Sequence, residues 1–195
     1  MQDHPDAHAE AALIAQARAG DPGAFDALVE AHQRAVFRFA RALTHNDALA
    51  EDVLQETFLS ALEGLGAWRA ESSFRTWLLV IARNAALKHR RRDRERPGEQ
   101  EPDFETLGRD AGWGDVDSPE RIAASHEAAS AVTRALASLD VEAREVLTLR
   151  ELEGLSGDET ARLLGLSLAA MKSRLHRARL AFVAALRAEQ GHHAR

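Results

Sequence analysis

The side chains best suited to chemistry lie between positions 172 and 179. Lys172, Ser173, Arg174, His176, Arg177 and Arg179 crowd that stretch, and no acid follows until Glu189. Guanidinium and ammonium groups donate to phosphate oxygens and guanine edges, and hydroxyls pair with several bases, so such a set on one helical face suits a duplex groove. An ordinary amphipathic helix with solvated cations is the plainer reading. A second basic stretch, residues 83–96, carries 7 basic and 2 acidic side chains. Local positive charge is rewarded by counterion release even when the whole chain is acidic, as here at −6. Other chemistries find no footing. Cysteine is absent, which excludes disulfides, thiolate metal sites and cysteine nucleophiles. There is no glycine-rich phosphate loop, and the one Glu-x-x-His, Glu189 to His192, lies in the C-terminal tail. We therefore expect no enzyme, no metal and no cofactor.

Helices must position these groups. Ala, Leu, Glu and Arg dominate, Tyr is absent, and hydrophobic residues make up 45% of the chain, which predicts an all-α protein. Asp21-Pro22 is a helix start, followed by Leu28, His32, Val36, Phe39 and Leu43 at helical spacing. Asn46 or Asp47 caps the next helix, with an apolar stripe of Leu49, Val53, Phe58, Leu62 and Leu65. Trp68 to Ser73 reads as a loop, and Phe74 opens a long helix that is apolar first and basic after Arg90. Ser118-Pro119 restarts helix, with Ile122, Val132, Leu136 and Leu139 facing inward. Asp140 caps a helix to about Leu152, and Ser156-Gly-Asp-Glu159 is a capping box. Gly165 stops that short helix, Leu166-Ser167 turns, and a last helix runs from Leu168 to about Ala188 with Met171, Leu175, Ala178 and Phe182 inward. Helix, three-residue turn with glycine, helix is the pattern of a DNA-reading pair.

Charge and composition also divide the chain. Residues 97–120 hold 8 acids and 1 base, and proline and glycine recur through 97–117 without period. This predicts an extension at 1–20, a first helical domain at 21–96, a flexible acidic linker at 97–117, a second helical domain at 118–188 and a tail at 189–195. Trp113 is unusual for a spacer and is expected to mark a docking contact. The longest apolar run, Trp77 to Ala82, is far short of the roughly 20 residues of a membrane span. No membrane insertion is expected, and a reducing cytoplasm fits the absence of cysteine.

Two motif sets carry a family resemblance. Leu139 through Ser156 followed by Met171-Lys-Ser-Arg-Leu-His-Arg-Ala-Arg resembles region 4 of extracytoplasmic-function (ECF) sigma factors, subunits of bacterial RNA polymerase of the sigma-70 family. Ala169-Ala170-Met171 replaces the Gly-Thr-Val common in that family. The resemblance implies that this domain binds the −35 promoter element through Lys172, Ser173, Arg174, His176, Arg177 and Arg179. Ala50 through Leu59 resembles the region 2 helix that docks on the clamp helices of the polymerase's largest subunit, with Asp52, Leu54, Gln55 and Glu56 as contacts. Phe74 to Trp77 with Ile81 to Asn84 resembles the promoter-melting segment, which holds the −10 element as flipped, unpaired bases. Such bases need planar groups to stack on, amides or hydroxyls to read their edges, and cations along the strand. Arg69, Ser72, Ser73, Phe74, Arg75, Trp77 and Asn84 supply the first two, and Arg90 to Arg92 the last. For Trp77 the core is the preferred place. Implied partners are core polymerase, including its flap, promoter DNA and an anti-sigma factor; in this family the linker threads toward the channel that holds RNA and template.

Two other readings compete. A stand-alone helix-turn-helix regulator needs a sensing N-terminal domain with alternating strands, a pattern that residues 1–96 lack. An α-helical enzyme needs a nucleophile or acid–base pair that the motifs do not provide.

Overall fold

The computed structural model describes residues 7–94 and 129–193, all of whose elements are helical. The acidic linker, Trp113 and the Ser118-Pro119 start lie outside the described residues. Helices α1 (Ala7–Arg18), α2 (Pro22–Thr44), α3 (Asp47–Gly64) and α4 (Phe74–Arg94) form the first domain. The second comprises α5 (residues 129–137), α6 (Val141–Leu147), a π-helical turn (Thr148–Leu152), α7 (Gly157–Leu164) and α8 (Leu168–His193).

Local chemistry sets the helix ends. The Asp21 carboxylate accepts from the Gly23 and Ala24 amides, and Pro22 needs no donor at the first position. Helix α2 ends at His45, held left-handed at φ 56°, with its amide bonded to the Arg41 carbonyl. Asn46 caps α3, and Asp140 caps α6. Along α2, Leu28, His32, Val36, Phe39 and Leu43 are all buried. Each apolar member removes a full side chain from water, about 1.5 to 3 kcal/mol apiece. Their facing partners are Val53 and Phe58 of α3 and Leu78, Leu79 and Ala82 of α4.

Two parts of the first domain depart from the sequence reading. The stretch read as an extension is a structural helix. Ile14 and Ala17 of α1 are buried, Glu10 meets the ring of buried His32 at 2.8 Å, and Arg18 lies over Trp68 while bonding the Leu65 carbonyl at 3.1 Å. Leu62, expected inside, is 50% exposed, because α2 and α4 cover the other faces of α3.

In the second domain Val146, Leu149, Leu155, Leu163, Leu164, Met171, Leu175 and Ala178 make the core. The two domains touch along α2 and α4 on one side and α6, the π turn and α7 on the other.

Candidate nucleic-acid interface

The helix-turn-helix is assembled as its caps dictate. Ser156 Oγ accepts from the Glu159 amide at 3.2 Å, and Glu159 Oε2 accepts from the Ser156 amide at 2.9 Å. The Ser156 contacts hold the Glu159 carboxyl below its ordinary pKa, so this cap is charged at neutral pH. Gly165 takes φ 68°, a left-handed turn that glycine adopts without penalty, and the Leu166 amide then reaches the Ala161 carbonyl at 2.8 Å. A Cβ on Gly157 would come within 3.2 Å of Leu168 and Met171, so α7 and α8 cross closely.

Helix α8 turns Met171, Leu175 and Ala178 inward and leaves Lys172, Ser173, His176, Arg177 and Arg179 exposed. Spacings of three and four put these five on one face. The sixth candidate, Arg174, is half-buried and pairs with Glu142 at 3.1 Å; Arg179 pairs with Glu151 at 2.6 Å. Among the described residues, Lys172, His176 and Arg177 make no ion pair. Leu180 and Val183 continue the exposed part of α8.

The second candidate surface divides. Asn84 and Arg91 are exposed, two turns apart on one face of α4, with Lys88 between them. Arg69 is exposed in the loop before α4, where Ala70 holds φ 57°. Ser73, expected to read base edges, caps α4 instead: its Oγ accepts from the Thr76 amide at 3.1 Å and donates to Thr76 Oγ1. Ser72 donates to the Ser73 carbonyl. Phe74, 1% exposed, belongs to the core and offers no stacking face. Trp77 packs against the core and stacks on Trp68 with centroids 5.4 Å apart, and Gly64 leaves room for its ring. Arg75 points to the second domain, where it bonds Glu153. Arg90 and Arg91 line a cleft of about 880 Å³ with Arg83, Arg144 and Arg174, so the two basic stretches face one space.

On α3, Asp52 and Gln55 are exposed and Leu54 is half-buried. Glu56 turns to α4, meeting Lys88 at 2.6 Å and His89 at 2.9 Å, and the Lys88 hydrogen bond is the main cause of its lowered pKa. It is therefore not a freely available carboxylate. In its place Leu59 and Leu62, 64% and 50% exposed, follow Asp52 and Gln55 on the same face and give it an apolar centre. Leu59 was not singled out in the sequence and Leu62 was read as core, since an exposed leucine at helical spacing reads like a core leucine. Among the described residues no group of three His, Asp or Glu side chains could hold a metal, and no helix is long and apolar enough to cross a membrane.

Comparison with known proteins fits this geometry. A sigma-70 region 2 model matches residues 28–96 and a sigma-70 region 4 model matches residues 129–182. The chain is 35% identical over 177 residues to the RNA polymerase sigma-H factor of Pseudomonas aeruginosa, covering 89% of this chain and 92% of that protein. It is 36% identical over 170 residues to the ECF RNA polymerase sigma factor SigM of Mycobacterium tuberculosis, covering 87% and 81%. Among solved structures, CnrH in complex with the cytosolic domain of CnrY aligns with TM-score 0.64 at 29% identity, over 92% of this chain and 98% of that one. The sigma factor RpoE, in complex with the anti-sigma factor NepR from Bartonella quintana, aligns with TM-score 0.66 at 25% identity, over 84% and 96%. With both domain types present in order and relatives aligned over most of their length, the chain belongs to the sigma-70 family, in its extracytoplasmic-function group of RNA polymerase sigma factors.

Proposed function

We propose that this chain directs core RNA polymerase to promoters and initiates transcription by binding the −35 element as duplex and melting the −10 element. The observation that carries the reading is the α7–α8 pair, whose capping box and left-handed Gly165 present Lys172, Ser173, His176, Arg177 and Arg179 on one exposed face. Arg174, held by Glu142, lies beside that face and lines the cleft between the domains. Asn84, Arg69, Arg90 and Arg91 then take the unpaired strand, with Arg75 joining once released from Glu153. The α3 face of Asp52, Leu54, Gln55, Leu59 and Leu62 docks on the clamp helices, an apolar centre with a polar rim being the usual make-up of a protein interface. The second domain meets the flap.

The site of action is the cytoplasm, where core polymerase works. The solved relatives CnrH and RpoE carry CnrY and the anti-sigma factor NepR, which supports an anti-sigma partner here as well. Run-off transcription on a linear promoter template tests the reading: product should require both this chain and core polymerase. The free chain, with net charge −6, should bind duplex DNA weakly. Tight sequence-specific binding by the free chain at physiological salt would favour a stand-alone regulator instead.

A further inference from the structure

Helix α1 ends against the connection between α3 and α4, residues 65–73, which carries Arg69. Arg18, in the last turn of α1, donates from Nε to the Leu65 carbonyl at 3.1 Å and from Nη2 to the Trp68 carbonyl. Its guanidinium also lies over the Trp68 ring, 5.5 Å from the centroid. Among the described residues, no other long-range hydrogen bond reaches residues 65–73. Leu65 is the C-cap of α3, where carbonyls lack amide donors of their own helix and the helix dipole favours a cation. The planar fork of a guanidinium can hold acceptors at a set spacing, which a single ammonium cannot.

The Trp68 carbonyl belongs to the peptide that leads into Arg69, so the bond from Arg18 sets the plane of that peptide. Ala70 follows at φ 57°, a left-handed conformation that a residue with a Cβ keeps only where its surroundings determine it. Arg69 itself has one ion contact, with Glu71 at 3.9 Å, and both side chains are more than 80% or at 80% exposed, so that contact contributes little. The stance of Arg69 therefore depends on the peptide behind it. On its other side Trp68 stacks on Trp77 and meets the edge of Phe74 at 5.5 Å. The opposite end of α1 bears on the same aromatic group, because Glu10 holds His32, whose ring meets Phe74 at 5.4 Å. Arg18 thus acts from a helix that is itself fixed to the cluster.

We infer that Arg18 is a positioning residue that sets how the loop presents Arg69 to the unpaired strand. An arginine discriminates between bases when its donors meet their edges at set angles, whereas attraction to phosphate needs little more than proximity. Loss of Arg18 leaves the loop connected and Arg69 charged, but frees the peptide between them, so base preference falls while general affinity for the strand persists. The inference rests on the reading of Arg69 as a contact to unpaired bases.

Holoenzyme formed with core polymerase is offered single-stranded DNA with a short random segment, and the bound strands are sequenced. The parent should favour particular bases. Arg18→Met keeps the length and helix propensity of the side chain without its donors. Affinity for the parent's preferred strand should fall about fivefold, as expected when modest hydrogen bonds no longer hold the reading conformation, with affinity for the whole pool and copurification with core polymerase unchanged. Arg18→Lys should recover part of the preference. Arg69→Ala should lose the same preference, and adding Arg18→Met to it should cost nothing further, since one residue acts through the other. Ile14→Val loosens the buried face of α1 and should leave the preference intact. Preference kept in Arg18→Met or in Arg69→Ala, additive losses, equal loss in Ile14→Val, or failure of Arg18→Met to join core polymerase overturns the positioning role. If the parent takes all strands alike, the base-reading assignment of Arg69 fails first and the inference falls with it.

Discussion

His45 allows a pH prediction with a worked magnitude. It sits at the end of α2 against Thr133, Leu136 and Arg144 of the second domain. Burial first, then Arg144, Arg41 and Arg90, lower its pKa from 6.5 to about 4. Above pH 6.5 the ring is neutral whether the chain is folded or unfolded, so the shift has no effect there. As pH falls through 6.5 the unfolded chain takes a proton that the folded chain refuses until about pH 4, and stability is lost across that window. The loss is about 1.4 kcal/mol at pH 5.5 and about 3 kcal/mol at pH 4. His45→Asn removes the titration while keeping a residue type that tolerates φ 56°. Urea unfolding followed by fluorescence of Trp68 and Trp77, both in the first domain, should show the parent losing about 1.4 kcal/mol more than the variant between pH 7.5 and 5.5. Groups that titrate in both proteins cancel in this difference. Parallel losses would refute the reasoning, since His45 would then not be the group held neutral.

Arg177→Ala removes an exposed cation that makes no ion pair among the described residues, so holoenzyme footprints on duplex promoter should weaken by about 1 to 3 kcal/mol, and a pre-melted bubble should not restore them. Asn84→Ala should instead leave the closed complex formed and impair opening; permanganate reactivity should return on a mismatched template, and loss of the closed complex itself would count against the assignment. Asp52→Arg with Leu59→Ser should reduce copurification with core polymerase without loss of helicity, because both side chains are exposed; normal copurification would mean that α3 docks elsewhere. Gly165→Ala meets no atom within 4 Å and is opposed only by φ 68°, so calorimetry should show a loss of about 1 kcal/mol in the second domain.

The sequence by itself determined what depends on neighbours a few residues apart. Asp21, Asn46, Asp140 and Ser156 cap helices because a cap needs only its own side chain and amides two or three positions on. Gly165 stops α7 for an equally local reason, and the 3.6-residue period placed Leu28, Val36, Phe39, Met171 and Leu175 inside. Two helical domains and the cationic face of α8 followed from these. Tertiary structure decided what depends on residues far apart in the chain. Arg38 and Glu153 are 115 residues apart, and neither type nor spacing marks them as partners. Arg75 and Ser73 have the chemistry of base readers, yet one is claimed by a distant carboxylate and the other by its own helix end. Leu59 and Leu62 carry the same hydrophobicity as Leu65; only the packing of α2 and α4 around α3 decides which of them faces water. His45 is kept neutral first by burial and then by arginines from three helices, surroundings that exist only once those helices meet.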